Sequence, residues 1–167
     1  MSIQKISFIS IFTTLALIMS YIEMQIPNII MIPGAKLGLA NIVIVVVLYQ
    51  YGLKESSLIN LLRIVIINTI FGSIISFTYA FVGGFLSLLL MYFLKKCNKF
   101  SYSFVSIIGG LSHNIGQIIV AIVITNTKEL LYYLPMLIVF GIISGVVIGV
   151  ISSVILNKLK FNHPFNN

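Results

Sequence analysis

The sequence contains no aspartate and only three glutamates, Glu23, Glu55 and Glu129. Magnesium sites draw on one or two carboxylates plus substrate phosphates, so this shortage excludes most metal-dependent phosphate chemistry. A single cysteine, Cys97, excludes an intrachain disulfide and a cysteine-based zinc cluster. Charge of either sign is scarce, at 8% of 167 residues, where a soluble domain carries about a quarter. A chain so poor in charge cannot coat itself against water. There is no G-x-x-x-x-G-K-[ST] sequence to cradle ATP phosphates. No Ser-His-acid or Cys-His arrangement stands out, and His113 has no second His or Cys near it in sequence. No catalytic residue, cofactor or metal site is expected.

What the chain does contain is apolar length. Hydrophobic residues make up 59% and the mean hydropathy is +1.15. A membrane-spanning helix needs about 20 mostly apolar residues. Six runs qualify or come close, at residues 6–24, 37–51, 56–71, 77–94, 102–125 and 130–159. The second and third are short, and short segments at membrane depth often line a site. The first run follows Lys5 like a signal peptide, but it is long and no small-x-small cleavage site follows, which predicts a retained helix. The fold class expected is all-α: one integral membrane domain over residues 1–167, a bundle of six transmembrane helices.

Orientation follows from the lysines. Six spans put Lys5, Lys54, Lys95, Lys96, Lys99, Lys158 and Lys160 on one side, and Lys36 and Lys128 on the other. The positive-inside rule places the first group, and both termini, in the cytoplasm of a plasma-membrane protein. The net charge of +7 therefore reads as a topology signal and not as a nucleic-acid footprint. Small residues recur at four-residue spacing at Gly141, Gly145 and Gly149, at Gly72 and Ser76, and at Ala16 and Ser20. Such faces allow close helix approach; internal packing is favoured for the last helix, with a partner protein an alternative on the first.

Polar residues inside a bilayer are functional candidates. Glu23, Lys36, Asn41, His113, Asn114 and Gln117 fall in the outer half of this topology, with Arg63 near the middle. His113 and Gln117, four apart, share a helix face. Together these residues predict a polar pocket opening outward. Lys36, Arg63 and a protonated His113 suit an anionic solute, and Asn41, Asn114 and Gln117 supply hydrogen bonds. Interhelical hydrogen bonding by the amides, and an Arg63–Glu23 structural bridge, are the alternatives.

The stretch Pro33-Gly34-Ala35-Lys36-Leu37-Gly38-Leu39-Ala40-Asn41 resembles the PG-x-KLGLAN signature of the Gx transporter family. Ser112-His113-Asn114-Ile115-Gly116-Gln117 resembles its AHN-x-GQ element, with Ser112 in place of the usual Ala. Leu62-Arg63, Phe71-Gly72-Ser73, Gly83-Gly84 and Tyr132-Tyr133-Leu134-Pro135 fall in the expected order. That family is also named heptaprenyl diphosphate synthase component I, and it is similar to the substrate-binding S components of energy-coupling factor importers. The resemblance implies six helices with cytoplasmic ends and an extracellular loop between the first two that caps a small-molecule solute. It also implies a transmembrane coupling protein, with separate ATPases, docked on an Ala-x-x-x-Ala face of the first helix. Ala16 and Ser20 stand nearest to that face here. The older name implies instead a subunit of a prenyl diphosphate synthase. Such enzymes hold diphosphate through magnesium on Asp-rich motifs, so a chain without aspartate could only be a non-catalytic membrane subunit.

Overall fold

Six consecutive β-branched residues, 42–47, would favour a strand in water, yet they form the middle of a helix. In lipid the backbone must satisfy its own hydrogen bonds within the segment or in a closed barrel. The computed structural model describes residues 3–26 and 38–158. Its elements are α1 (Ile3–Gln25), α2 (Leu39–Tyr51), α3 (Leu53–Phe71), α4 (Ile74–Lys96), α5 (Tyr102–Thr125), a 3₁₀ segment (Lys128–Tyr133) and α6 (Leu134–Lys158). Lys36, and the signature stretch from Pro33 to Leu37, lie outside the described residues.

Among the described residues, four segments are long and apolar enough to cross a membrane: α1, α4, α5 and Lys128–Lys158. α2 has only 13 residues. α3 has 19, more than its short apolar run suggested, but carries Lys54, Glu55, Asn60, Arg63 and Asn68. Gly52, at φ 94°, turns the chain between α2 and α3 in one residue, a backbone geometry open to glycine. α4 starts earlier than its hydropathy indicates, because the Ser73 hydroxyl accepts from the Ser76 N–H at 3.1 Å and caps the helix. Gly72 accordingly caps the end of α3 while Ser76 lies in the first turn of α4, and the two form no shared packing face. Ser76 Oγ donates to Asn68 Oδ1 at 2.8 Å and closes the α3–α4 turn.

α5 packs between α4 and α6, while α1 packs on α2 and α3. α2 lies among α1, α3 and α6, with residues 42–48 all buried. A helix that is apolar all round belongs inside a bundle. The glycines of α6 face α5: a Cβ on Gly145 would stand 2.5 Å from Ile107 Cα, and one on Gly149 would stand 2.5 Å from Ser103 Cα. On the opposite side of α6, Ile142, Val146, Val150 and Val154 are exposed at regular helical spacing.

Inside and outside are inverted relative to a soluble protein. Exposed positions are filled by Ile, Leu, Val and Phe, whereas Thr13, Ser20, Ser56, Asn60, Arg63, Ser87, Ser106, Ser112, Asn114, Gln117 and Ser152 are buried. Large exposed apolar areas mark an interaction surface. Here they wrap most of the bundle, as a lipid-facing surface must.

Candidate functional site

α2 is the frame of the site, and both its ends are held by charged side chains from other helices. The Glu23 carboxylate, in the last turn of α1, accepts the Gly38 backbone N–H at the start of α2. At the other end Lys95 Nζ, from the last turn of α4, donates to the Leu48 and Tyr49 carbonyls at 2.6 and 3.2 Å. An acid at the N-terminus and a base at the C-terminus both complement the helix dipole. A Cβ on Gly38 would lie 3.2 Å from Ile148, well inside α6, so α2 begins within the bundle and not at its surface. Lys95→Met removes the donor to Tyr49 and one of two donors to Leu48. It should destabilise the protein by about 1–3 kcal/mol, read as a lower unfolding midpoint in detergent. Lys96→Met, at an exposed neighbour, should stay within about 0.5 kcal/mol of the parent.

Arg63 projects from α3 into the interior and is only 9% exposed. Its Nη2 donates to Asn60 Oδ1 at 2.9 Å, one turn back on the same helix, and its Nη1 to Ser20 Oγ of α1 at 3.5 Å. Arg63 Nε has no hydrogen-bond partner among the described residues. No carboxylate among them lies within 4 Å of the guanidinium. The Glu23 carboxylate stands farther off, within electrostatic reach. The direct Arg63–Glu23 bridge that the sequence allows is therefore not formed among the described residues.

The Gly83-Gly84 pair joins this cluster to α5. A Cβ on Gly84 would be 3.1 Å from Asn60 Nδ2. One on Gly83 would be 2.8 Å from the His113 carbonyl oxygen, 3.1 Å from Gln117 Cγ and 3.2 Å from His113 Cε1. Through these two glycines the backbone of α4 packs against Asn60, the partner of Arg63, on one flank and against His113 and Gln117 on the other. The result is a polar layer through α1, α3 and α5. Asn60 Nδ2 and Gln117 Oε1 are buried without a hydrogen-bond partner among the described residues. Unpaired buried polar atoms are costly, and a cation in hydrocarbon more so.

The remaining candidates are placed differently. Asn41 lies half-buried in the first turn of α2, beside Gly38. Asn114 is buried on the other side of α5, where its Nδ2 donates to the Leu137 carbonyl of α6 at 2.8 Å. It clamps α5 to α6 and faces away from Arg63. Asn114→Leu should lower stability by about 0.6–1.7 kcal/mol, as loss of an interhelical hydrogen bond in a membrane does, and weaken ligand binding only indirectly, through the α5–α6 contact. Ser112 Oγ donates to the carbonyls of its own helix at Ile108 and Gly109, so its hydroxyl serves local structure.

Ala16 and Ser20, the small face of α1, are buried within the bundle. They continue a buried stripe with Ile9 and Thr13, Ala16 being 0% and Ser20 7% exposed. The reason is steric: small residues on α1 leave room for Arg63 to reach across to Ser20. Asn60 went unnoticed in the sequence, although its spacing three residues before Arg63 is the signal that pairs them on one face. Lys95 read only as a topology residue. So did Lys5, whose Nζ pairs with Glu55 Oε1 at 2.7 Å and ties α1 to α3 at the basic end.

A polar, cation-containing interior enclosed by apolar outer faces defines a polytopic helical membrane protein. The family model for heptaprenyl diphosphate synthase component I matches residues 12–155, and the chain belongs to that family. Comparison with curated proteins and with solved structures gave no match.

Proposed function

We propose that the chain is the substrate-binding membrane component of an energy-coupling-factor-like importer in the plasma membrane. It would cross the bilayer six times with both ends cytoplasmic and capture a small anionic or amphipathic solute from the outer side. The observation that carries this reading is Arg63, buried in an apolar bundle with no carboxylate within 4 Å among the described residues. A buried charge without a counter-ion in direct contact is unfavourable, and an anionic ligand is the group that would neutralise it. Asn60 and Gln117 would satisfy their open atoms on the same ligand. Glu23 and Asn41 would shape the α2 end of the site, and His113 would line it from α5. Lys36 would close it from the loop between α1 and α2. Asn114 would act on the site only through the α5–α6 contact.

The chain lacks a P-loop, so energy would come from separate ATPases through a transmembrane coupling protein. That protein would meet a face of the bundle other than the inward Ala16–Ser20 stripe. The family's name favours a second reading, a non-catalytic membrane subunit of a heptaprenyl diphosphate synthase. Affinity purification of the tagged chain from its own membranes, with mass spectrometry of what co-elutes, separates the two. Coupling ATPases and their membrane partner support the importer. A soluble prenyl synthase subunit in their place overturns it.

A further inference from the structure

A groove of about 270 Å³ runs between α1 and α3, lined by Leu17, Ile18 and Tyr21 on one side and Ile67, Ile70 and Phe71 on the other. Its walls are apolar, and the rings of Tyr21 and Phe71 approach to 5.4 Å along it. Ile18, Tyr21, Ile70 and Phe71 are all exposed, so the groove opens sideways, where lipid would lie.

The groove and the Arg63 cluster share two helices and one depth. Ile67 and Ile70 follow Arg63 by one and two turns, on the same face of α3. Ser20, the α1 acceptor of the Arg63 hydrogen bond, stands between Leu17 and Tyr21. Neither Arg63 nor Ser20 lines the groove, but each is one helical turn from a residue that does, Ile67 and Leu17.

We propose that the ligand is a single-chain amphipathic anion, its headgroup against Arg63 and its hydrocarbon chain in the α1–α3 groove, entering laterally from the membrane. This inference rests on the reading of Arg63 as an anion site. Charge complementarity selects the occupant. A lipid tail gains little by exchanging lipid for an equally apolar groove, whereas an anionic head gains direct contact with a guanidinium that has no carboxylate within 4 Å among the described residues. The chain delivers the ligand to the membrane, and Arg63 distinguishes it from neutral lipid.

The test uses the full-length chain in maltoside detergent, with the unfolding midpoint followed by size-exclusion chromatography of heated samples. The probes are decyl phosphate, decanol and inorganic phosphate. Decyl phosphate should raise the midpoint by several degrees, and the other two far less. Ile70→Trp places bulk in the groove at a residue 63% exposed, where folding should tolerate it. It should weaken the decyl phosphate response about tenfold in concentration, with Ile67→Phe as a second groove variant. An equal response to inorganic phosphate would mean a water-soluble anion, sinking the amphipath and leaving the anion site standing. An equal response to decanol, a response indifferent to both groove variants, or no response to any probe would overturn the inference. The importer reading would in each case still be decided by its co-purifying partners.

Discussion

Arg63→Met should leave the ligand-free protein at least as stable as the parent, while removing its response to ligand. Residues that hold a fold together lose stability when truncated. Arg63 is different, because its guanidinium is buried with an open Nε and no carboxylate within 4 Å among the described residues. Exchanging buried charge for apolar volume is often neutral or stabilising by about 1–4 kcal/mol. Methionine approximates the length of the arginine stem and adapts to irregular space. The lost hydrogen bonds to Asn60 Oδ1 and Ser20 Oγ oppose this gain. The bond to Ser20, at 3.5 Å, is long enough to contribute little. The measurement is the unfolding midpoint in detergent with and without ligand. A fall of several degrees in the ligand-free midpoint would make Arg63 a structural residue and remove the main support for a binding site. Arg63→Lys retains the charge but not the fork of donors, so it should keep part of the response.

The second large effect is expected at Gly145. An added Cβ would meet Ile107 Cα at 2.5 Å, with Ile107 N and Ser106 O both at 3.0 Å. All three are backbone atoms, so no side chain can swing aside and α5 must move from α6. Gly145→Ala should cost about 1–3 kcal/mol, in the range of overpacked cores. Gly145→Leu should leave no monodisperse protein after extraction. Val146→Ala, one residue away on the lipid-facing side, is the matched control and should be near neutral. Gly141→Ala should be milder than Gly145→Ala, since its nearest contact is the Asn114 side-chain nitrogen at 3.1 Å. A Gly145→Ala protein as stable as the parent would show that the two helices are not held at this separation.

The α5–α6 contact also bears on the site. Gly116 of α5 sits with its added Cβ 2.9 Å from Gly83 Cα. Gly109 and Gly110 face Met91 of α4 and Gly141 of α6. α5 is therefore wedged between neighbours on both flanks, which fixes how far His113 and Gln117 stand from the Arg63 cluster. Loosening α6 should thus weaken binding as well as folding.

Composition by itself determined that this chain lives in lipid. Thirteen charged side chains cannot solvate a globule of 167 residues, and the bilayer then leaves the chain helix or closed barrel, of which continuous apolar runs near 20 residues select helix. Spacing determined the glycine face of α6, because every fourth residue returns to one side of a helix. Intramembrane cost singled out Arg63, His113 and Gln117. Tertiary structure alone decided which neighbour each face meets. Periodicity fixes a direction around a helix axis but not what lies in that direction. So Asn114 and Gln117, three residues apart, serve different interfaces, and the small face of Ala16 and Ser20 turns inward toward Arg63. Contacts between distant segments were equally hidden. Lys95 reaches the end of α2 across 47 residues of chain, and nothing in its local sequence separates it from Lys96. The groove between α1 and α3 exists only because two apolar faces lie side by side, a property that neither helix has alone.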